Sequence, residues 1–559
     1  MVDHSNRRDQ LLTRAREART RGDLVAAGQA YRQLVEQYPD DAELKYFLGM
    51  TCWLMHHHDE AETLIEQAIT AGHQSDSVYY NFALLLQEQG KAEAAIDQYQ
   101  HALALNPELE DANNNLGFQF FTLGQLDEAA ECFLKEIAHR PDNIAAHNNL
   151  GNVLKEQFKF EAARRCYQNA IKLDSTYVEA LSNLANVLYK MGRYEEALGH
   201  VDRSIELEPG NADAWNNRGM ILQGYGRYPE VVENFHRAIQ LQPEFKEAHT
   251  NYATANLILG RFSTGWDHYR YRLNKHVNDG RFLHAPLPAD LHGRNVYLIQ
   301  DQGIGDELFF LRYARQLKQR GAWVGYRPGQ KIRSLLQRCD AIDALTDEPT
   351  LASNDADDIV MSVGDLAFAL GVNDDDPLPA SISLAPLAQQ VDAMQQYLSS
   401  LGPAPYLGVT WRGGTIMRSR LYKEIPLQAL GQGLAGIKAT VISLQRCPKD
   451  GETQQLAQSL GAPVHDASAL NDDLEAMLAL LGLLDEYVGV SNTNIHLLAA
   501  LGRHARVLVP APAEWRWMAS GDESPWFPGF PVYRQSLDKQ WAEALSRLRK
   551  DLAGICLST

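Results

Sequence analysis

Three short stretches in the second half of this 559-residue chain carry residue types that handle anions. In "GIGDELFF", Gly303 and Gly305 permit a tight strand-to-helix turn, and Asp306 stands at the start of the helix that follows. Such a turn can present a carboxylate to a cleft, or Asp306 can simply cap the helix. In "TWRGGTIMRSRLYKEIPL", a strand ends in Arg412 and Gly413, with Lys423 further along the loop. Cations and free backbone N–H groups together suit a diphosphate, whereas a solvated basic loop is the plain alternative. In "GVSNTNIHLLAALG", Ser491, Asn492 and Thr493 open a helix that contains His496. The oriented N–H groups of a helix N-terminus attract anions. His496 reads equally as a phosphate neighbour or as a core histidine.

A second pattern lies upstream. Asn81, Asn115, Asn149, Asn183, Asn217 and Asn251 stand 34 residues apart. A carboxamide offers a donor and an acceptor at once, so one Asn can clasp one peptide unit of an extended chain through two hydrogen bonds. At about 0.5–1.5 kcal/mol net per bond, such a ladder supplies several kcal/mol before ordering costs and reads backbone, not sequence. The alternative is that each Asn bridges neighbouring helices. Phe47 and Thr13 occupy the same grid further upstream, so a clasp of this kind fades toward the N-terminus.

The elements that position these residues follow from period. Pro39, Pro107, Pro141, Pro209 and Pro243 share the 34-residue grid, as do the alanines Ala27, Ala61, Ala95, Ala129, Ala163 and Ala197. So do Gly49, Gly117, Gly151 and Gly219, and the aromatics Tyr31, Tyr99, Phe133, Tyr167 and Phe235. Two short antiparallel helices per unit account for this, with small residues at the close approach, large ones filling the gap and Pro ending each unit. The pattern resembles the tetratricopeptide repeat, about eight copies from residue 8 to about 275. The ladder then falls on the first helix of each repeat, the one that lines the concave face of such solenoids.

After "APLPADLHGR" the period changes. Strands are expected at Arg294–Gln300, in "AWVGYRP" and in "DIVMSVG", then at Tyr406–Trp411, "ATVISLQ", Glu486–Val490 and "ARVLVP", with helices between them. This alternation specifies parallel sheets covered by helices, with ligands at the carboxyl ends of the strands. The acidic stretch Asn373–Ser381 reads as the connection between two lobes. The division expected is a repeat array over 1–275, a linker over 276–290, an N-terminal lobe over 291–385 and a C-terminal lobe over 386–559.

Composition narrows the function class. A net charge of −19 with no basic patch argues against nucleic-acid binding. No apolar run reaches the roughly 18 residues of a membrane span, and the polar start "MVDHSNRRDQ" has no signal-peptide core. The six cysteines lack CxxC spacing, and His56–His58 has no ligand partners at metal spacing. A cytoplasmic location is expected.

The three anion-handling stretches, in this order, resemble the heptosyltransferase-like glycosyltransferases. They are particularly similar to the bacterial class in which tetratricopeptide repeats precede such a domain, flagellin glycosyltransferases among them. The tail "EWRWMASGDESPWFPGFPVYRQ" is similar to that class's "DWRW…DSPWYP…RQ" segment. The Asn ladder resembles that of the O-linked N-acetylglucosamine transferase. What the resemblance implies is an α-solenoid followed by a GT-B-like α/β domain of two Rossmann-like lobes. It also implies inverting, metal-independent sugar transfer from a nucleotide sugar, with no cofactor. It assigns Asp306 as general base for the acceptor hydroxyl, Lys423 to the donor phosphates and His496 near them; apart from the resemblance, His496 as the base itself is the alternative. Gly303, Gly305, Arg412, Gly413, Ser491, Asn492 and Thr493 complete the donor site. The family's Asp-Thr pair is Ser491-Asn492 here, which removes a negative charge. The implied acceptor is Ser or Thr of a polypeptide in the repeat groove, flagellin by resemblance alone. A glycan or lipid-linked acceptor, or a peptide-binding scaffold with a degenerate transferase domain, are the other readings.

Overall fold

The computed structural model describes residues 2–272, 283–347, 358–413 and 423–556, with side chains over 8–553 of those spans. Two compact units divide between Pro209 and Gly210. The chain is thus parted within its repeats, and of the expected linker, residues 276–282 lie outside the described residues.

The first unit holds twelve described helices in six antiparallel pairs, from Val2–Thr20 to Tyr194–Leu207. Each column of the sequence grid has one packing job. The six grid alanines are wholly buried, because there the two helices of a pair touch. Gly117 and Gly151 lie where the neighbouring aromatic presses on the first helix. A Cβ on Gly151 would stand 2.5 Å from the Tyr167 ring, and one on Gly117 2.9 Å from Phe133. The aromatics themselves are buried, each burial contributing roughly 1.5–3 kcal/mol. The turn within each pair needs a left-handed residue. Gly22, Gly90, Gly124 and Gly192 supply it, while His56 and Phe158 adopt it at φ 61° and 60°. His56 therefore serves a turn.

The second unit begins with two further pairs, Ala212–Gly224 with Tyr228–Leu241 and Lys246–Ile258 with Phe262–Tyr269. A four-stranded parallel sheet follows: β1 (Asn295–Ile299), β2 (Trp323–Arg327), β3 (Ala344–Leu345) and β4 (Ile359–Ser362), in the order β3-β2-β1-β4. The second sheet comprises β5 (Tyr406–Val409), β6 (Thr440–Ser443), β7 (Val464–Asp466), β8 (Glu486–Val490), β9 (Arg506–Val509) and β10 (Val532–Arg534). All its pairings are parallel, in the order β10-β9-β8-β5-β6-β7. Numbered from β5, that is the 3-2-1-4-5-6 order of dinucleotide-binding lobes. The two Rossmann-like lobes expected from the sequence are present. Strands β3, β7 and β10 were not expected, being two or three residues long, and several others end earlier than their apolar runs. Helices cover both faces, so strand residues such as Leu407, Val409, Val488 and Val507 are buried, as parallel sheets require. Trp266, near the last repeat's end, packs edge-on against Phe310, Trp515 and Trp526, which makes the last repeats and the lobes one core.

Candidate functional site

In the C-terminal lobe, β5 and β8 are neighbours whose connections leave in opposite directions. This switch point is where open parallel sheets hold ligands. Beyond β5, the backbone N–H groups of Trp411 and Arg412 donate to Gln445 Oε1 at 3.0 and 2.9 Å. Arg412 does not reach into the crevice. Its guanidinium is buried on Glu452, at 2.8 and 3.1 Å to the two carboxylate oxygens. Its role is to fix the strand end. Gly413 N–H donates to Lys423 O at 2.9 Å and Ile425 N–H to Trp411 O at 2.9 Å, so the two ends of the loop pair antiparallel and hold Lys423 at the crevice. The intervening residues 414–422 lie outside the described residues. A Cβ on Gly413 would be 2.6 Å from Ser491 O and 3.2 Å from the Lys423 side chain. The ends of β5 and β8 and Lys423 therefore converge.

Asn492 caps the helix Thr493–Ala500, its Oδ1 accepting from the N–H groups of Asn494 and Ile495 at 3.0 and 3.4 Å. Its amide donates to Thr410 Oγ1 and Tyr487 Oη at 2.8 and 3.0 Å. That side chain is committed to structure, while Thr493 stays half-buried at the helix start. His496 is buried with Nδ1 unpartnered. Burial, reinforced by Arg516, pushes its pKa well below the ordinary value, so the ring is neutral.

The N-terminal lobe meets this helix directly. A Cβ on Gly305 would stand 3.1 Å from His496 Cδ2 and 3.3 Å from Nε2. One residue later, Asp306 Oδ2 accepts from Gly303 N–H at 3.3 Å, a weak cap of the helix Ile304–Phe310. Asp306 Oδ1 pairs with Arg516 Nη2. Arg516 Nη1 in turn lies 2.5 Å from Glu514 Oε1, and Glu514 Oε2 lies 2.6 Å from Lys423 Nζ. The four form one chain of alternating sign. Its inner guanidinium is buried between the rings of Phe309 and Trp515, at 4.6 and 4.3 Å. Burial alone would raise the Glu514 carboxyl, but Lys423 and Arg516 outweigh it and hold it well below the usual carboxylate range.

Glu514 and Arg516 were not assigned a role from the sequence. They lie in "EWRW", a segment read only as a likeness. Arg272 was missed too. At the end of the last repeat it enters the β1/β4 crevice of the N-terminal lobe, pairs with Asp301 and Asp365, and donates to Ser362 Oγ at 3.1 Å. Among the described residues no three His, Cys, Asp or Glu stand close enough to share a metal ion.

In the repeats, all six ladder asparagines are half-buried. Each of five donates its amide to the preceding repeat: Asn81 to Tyr46 Oη (2.7 Å), Asn115 to Tyr80 Oη (3.0 Å) and Asn149 to Asn114 Oδ1 (3.0 Å). Asn183 donates to Asn148 Oδ1 (3.1 Å), and in the second unit Asn251 to Asn216 Oδ1 (3.0 Å). The bridging role is therefore real. It uses one amide N–H, and Asn81, Asn149, Asn183 and Asn251 keep the second N–H and the carbonyl oxygen, while Asn115 also reaches the Tyr99 hydroxyl. Phe47 lies beneath Arg16 and Arg19, 5.8 and 5.5 Å from its centroid, and offers no such group.

Tetratricopeptide repeat profiles match residues 18–83, 83–124 with 159–192, 144–173, and 178–211 with 212–245. The helix-pair array is a tetratricopeptide solenoid. The chain is 23% identical over 329 residues to protein FlbA of Caulobacter vibrioides. It spans about half the length of that relative, 55% of each chain. Among solved structures it is similar to YrrB, described as a repeat protein with an unusual peptide-binding site (27% identity, 33% of this chain, 95% of that one, TM-score 0.28). It is similar also to MamA (25% identity, 29% and 94%, TM-score 0.28). A third is a repeat protein from Parabacteroides merdae (18%, 44% and 97%, TM-score 0.37). No described helix is long and apolar enough to cross a membrane.

Proposed function

We propose that the chain is a protein O-glycosyltransferase. The repeats hold a polypeptide, the C-terminal lobe holds a nucleotide sugar, and Asp306 takes the proton from the acceptor hydroxyl. The observation that carries this reading is the convergence of Gly413, Lys423, Ser491 and Thr493 at the β5/β8 switch point, with Gly305 and Asp306 of the other lobe set against His496. A diphosphate there meets Lys423 and the helix start, electrostatics fixed before charge develops on the leaving group. His496 is neutral, and Asp306 is the only carboxylate of the set on the acceptor-side lobe. Arg412 and the Asn492 side chain make no donor contact in this reading, since both are engaged elsewhere. The half-buried ladder suits backbone recognition of an extended polypeptide, flagellin being one such acceptor.

A second reading has its own observation. Asp306 is ion-paired with Arg516, which suits a peptide-binding scaffold whose transferase lobes are inert. Incubating the full chain with unfolded flagellin and a panel of nucleotide sugars, and weighing the polypeptide by mass spectrometry, separates the two. A hexose- or hexosamine-sized increment supports the enzyme. An unmodified polypeptide that still binds supports the scaffold.

A further inference from the structure

The ion-pair chain Asp306–Arg516–Glu514–Lys423 joins the two halves of the candidate site, and its geometry is uneven. The outer members are reachable: the Asp306 and Lys423 side chains are 28% and 33% exposed, against 5% for Arg516. Glu514 is shared between two cations, with Lys423 Nζ 2.6 Å from its Oε2 and Arg516 donating to its Oε1. Arg516 also has a buried Nε with no partner, so the Nε/Nη2 edge, where Asp306 holds only Nη2, has a second N–H to donate to a carboxylate. Lys423 cannot follow Glu514, because its backbone is tied to Gly413 at the end of β5.

We propose that Glu514 and the donor's diphosphate compete for Lys423, and that a displaced Glu514 closes onto Arg516 and draws that guanidinium away from Asp306. Donor binding thereby frees the base. The charge logic is local. An entering diphosphate repels Glu514 from Lys423, and the unused N–H of Arg516 is Nε, on the guanidinium edge whose other member, Nη2, holds Asp306. A Glu514 that moves from Nη1 to that edge grips it through two bonds and outcompetes the single bond of Asp306. Asp306 would be neutralised by Arg516 until a donor is in place, which orders donor before acceptor. The inference rests on the donor-site reading above, with Glu514 and Arg516 as positioning residues.

The test is calorimetric titration of the full chain with inorganic pyrophosphate, uridine diphosphate and guanosine diphosphate, followed by transfer kinetics. Glu514→Gln leaves Lys423 without a competing carboxylate and cannot pull on Arg516. It is expected to tighten pyrophosphate binding about tenfold and to lower kcat about tenfold, an opposition that a merely structural residue does not produce. Lys423→Met is expected to weaken binding by about tenfold and to abolish the gain from Glu514→Gln in the double variant. Glu514→Asp, which keeps the charge but shortens its reach, should show a smaller gain and serves if Glu514→Gln fails to fold. Unchanged or weaker pyrophosphate binding in a folded Glu514→Gln or Glu514→Asp protein overturns the proposal and leaves the donor site standing. If neither wild type nor any variant binds any of the three probes, the donor-site reading falls and this one with it.

Discussion

Arg516 pairs with Asp306 across 210 residues of sequence, from one Rossmann-like lobe to the other. The contact explains why a tail rich in Trp and Arg follows the last long strand–helix unit. Trp515 and Phe309 sandwich the guanidinium, so the tail brings a desolvated cation to the turn that carries the candidate base.

The ladder predicts a graded loss of polypeptide binding. Asn115→Ala, Asn149→Ala and Asn183→Ala together remove three carboxamides from the first unit. At about 0.5–1.5 kcal/mol for each lost bond, the triple variant should bind unfolded polypeptide at least tenfold more weakly. Fluorescence anisotropy of a labelled peptide reads this out, and wild-type affinity would assign the ladder to helix bridging alone.

The small-residue column predicts an inverted glycine effect. Gly→Ala inside an exposed helix stabilises by about 1 kcal/mol. At Gly151 the added Cβ would stand 2.5 Å from the buried Tyr167 ring, and overpacking of that kind costs about 1–3 kcal/mol. Gly151→Ala should lower the stability of the first unit in urea; a gain would show that the helix pair can slide apart.

Arg272 predicts a large effect on stability. Arg272→Met strands the carboxylates of Asp301 and Asp365, both largely buried, and breaking a buried pair from one side costs about 3–5 kcal/mol. Eight of the nine tryptophans lie in residues 210–559, so their fluorescence follows this unit in denaturant. An unshifted midpoint would contradict the role assigned to Arg272.

His268 predicts a pH dependence. Its Nδ1 lies 2.7 Å from His249 Nδ1, while His249 Nε2 lies 2.8 Å from the carbonyl of Pro243. A carbonyl only accepts, so His249 donates from Nε2 and accepts at Nδ1, and His268 Nδ1 is the donor. Burial, with His249 alongside, brings the His268 pKa down to about 4 from its ordinary 6.5. Between those values the unfolded chain binds a proton that the folded chain refuses, so stability falls as pH drops from 6.5 toward 4 and gains nothing from His268 above that window. His268→Gln should flatten this part of the thermal-melt profile relative to wild type.

The fold was legible because its period is physical. Thirty-four-residue columns of Ala, Gly and aromatics exist since each repeat solves the same packing problem, and apolar runs marked the longer parallel strands. Strands β3, β7 and β10 were too short to carry a pattern. The site was legible by turn and not by side chain. Gly305 stands against the helix that Ser491 precedes, and Gly413 against Ser491, yet Arg412 is turned onto Glu452 and Asn492 onto Thr410 and Tyr487. Which of several nearby carboxylates and hydroxyls a polar side chain meets is decided by tertiary placement. The same holds for Glu514 and Arg516, whose partners lie on other elements.

The most direct measurement is the rate of sugar transfer to a saturating polypeptide by wild type and by Asp306→Asn, with donor affinity measured in parallel. A positioned base contributes roughly 10²–10⁴-fold, so transfer should fall by that factor while donor affinity changes by no more than about threefold. Transfer by Asp306→Asn at the wild-type rate would remove Asp306 from the chemistry. No transfer by wild type, with polypeptide still bound, would make the chain a repeat scaffold.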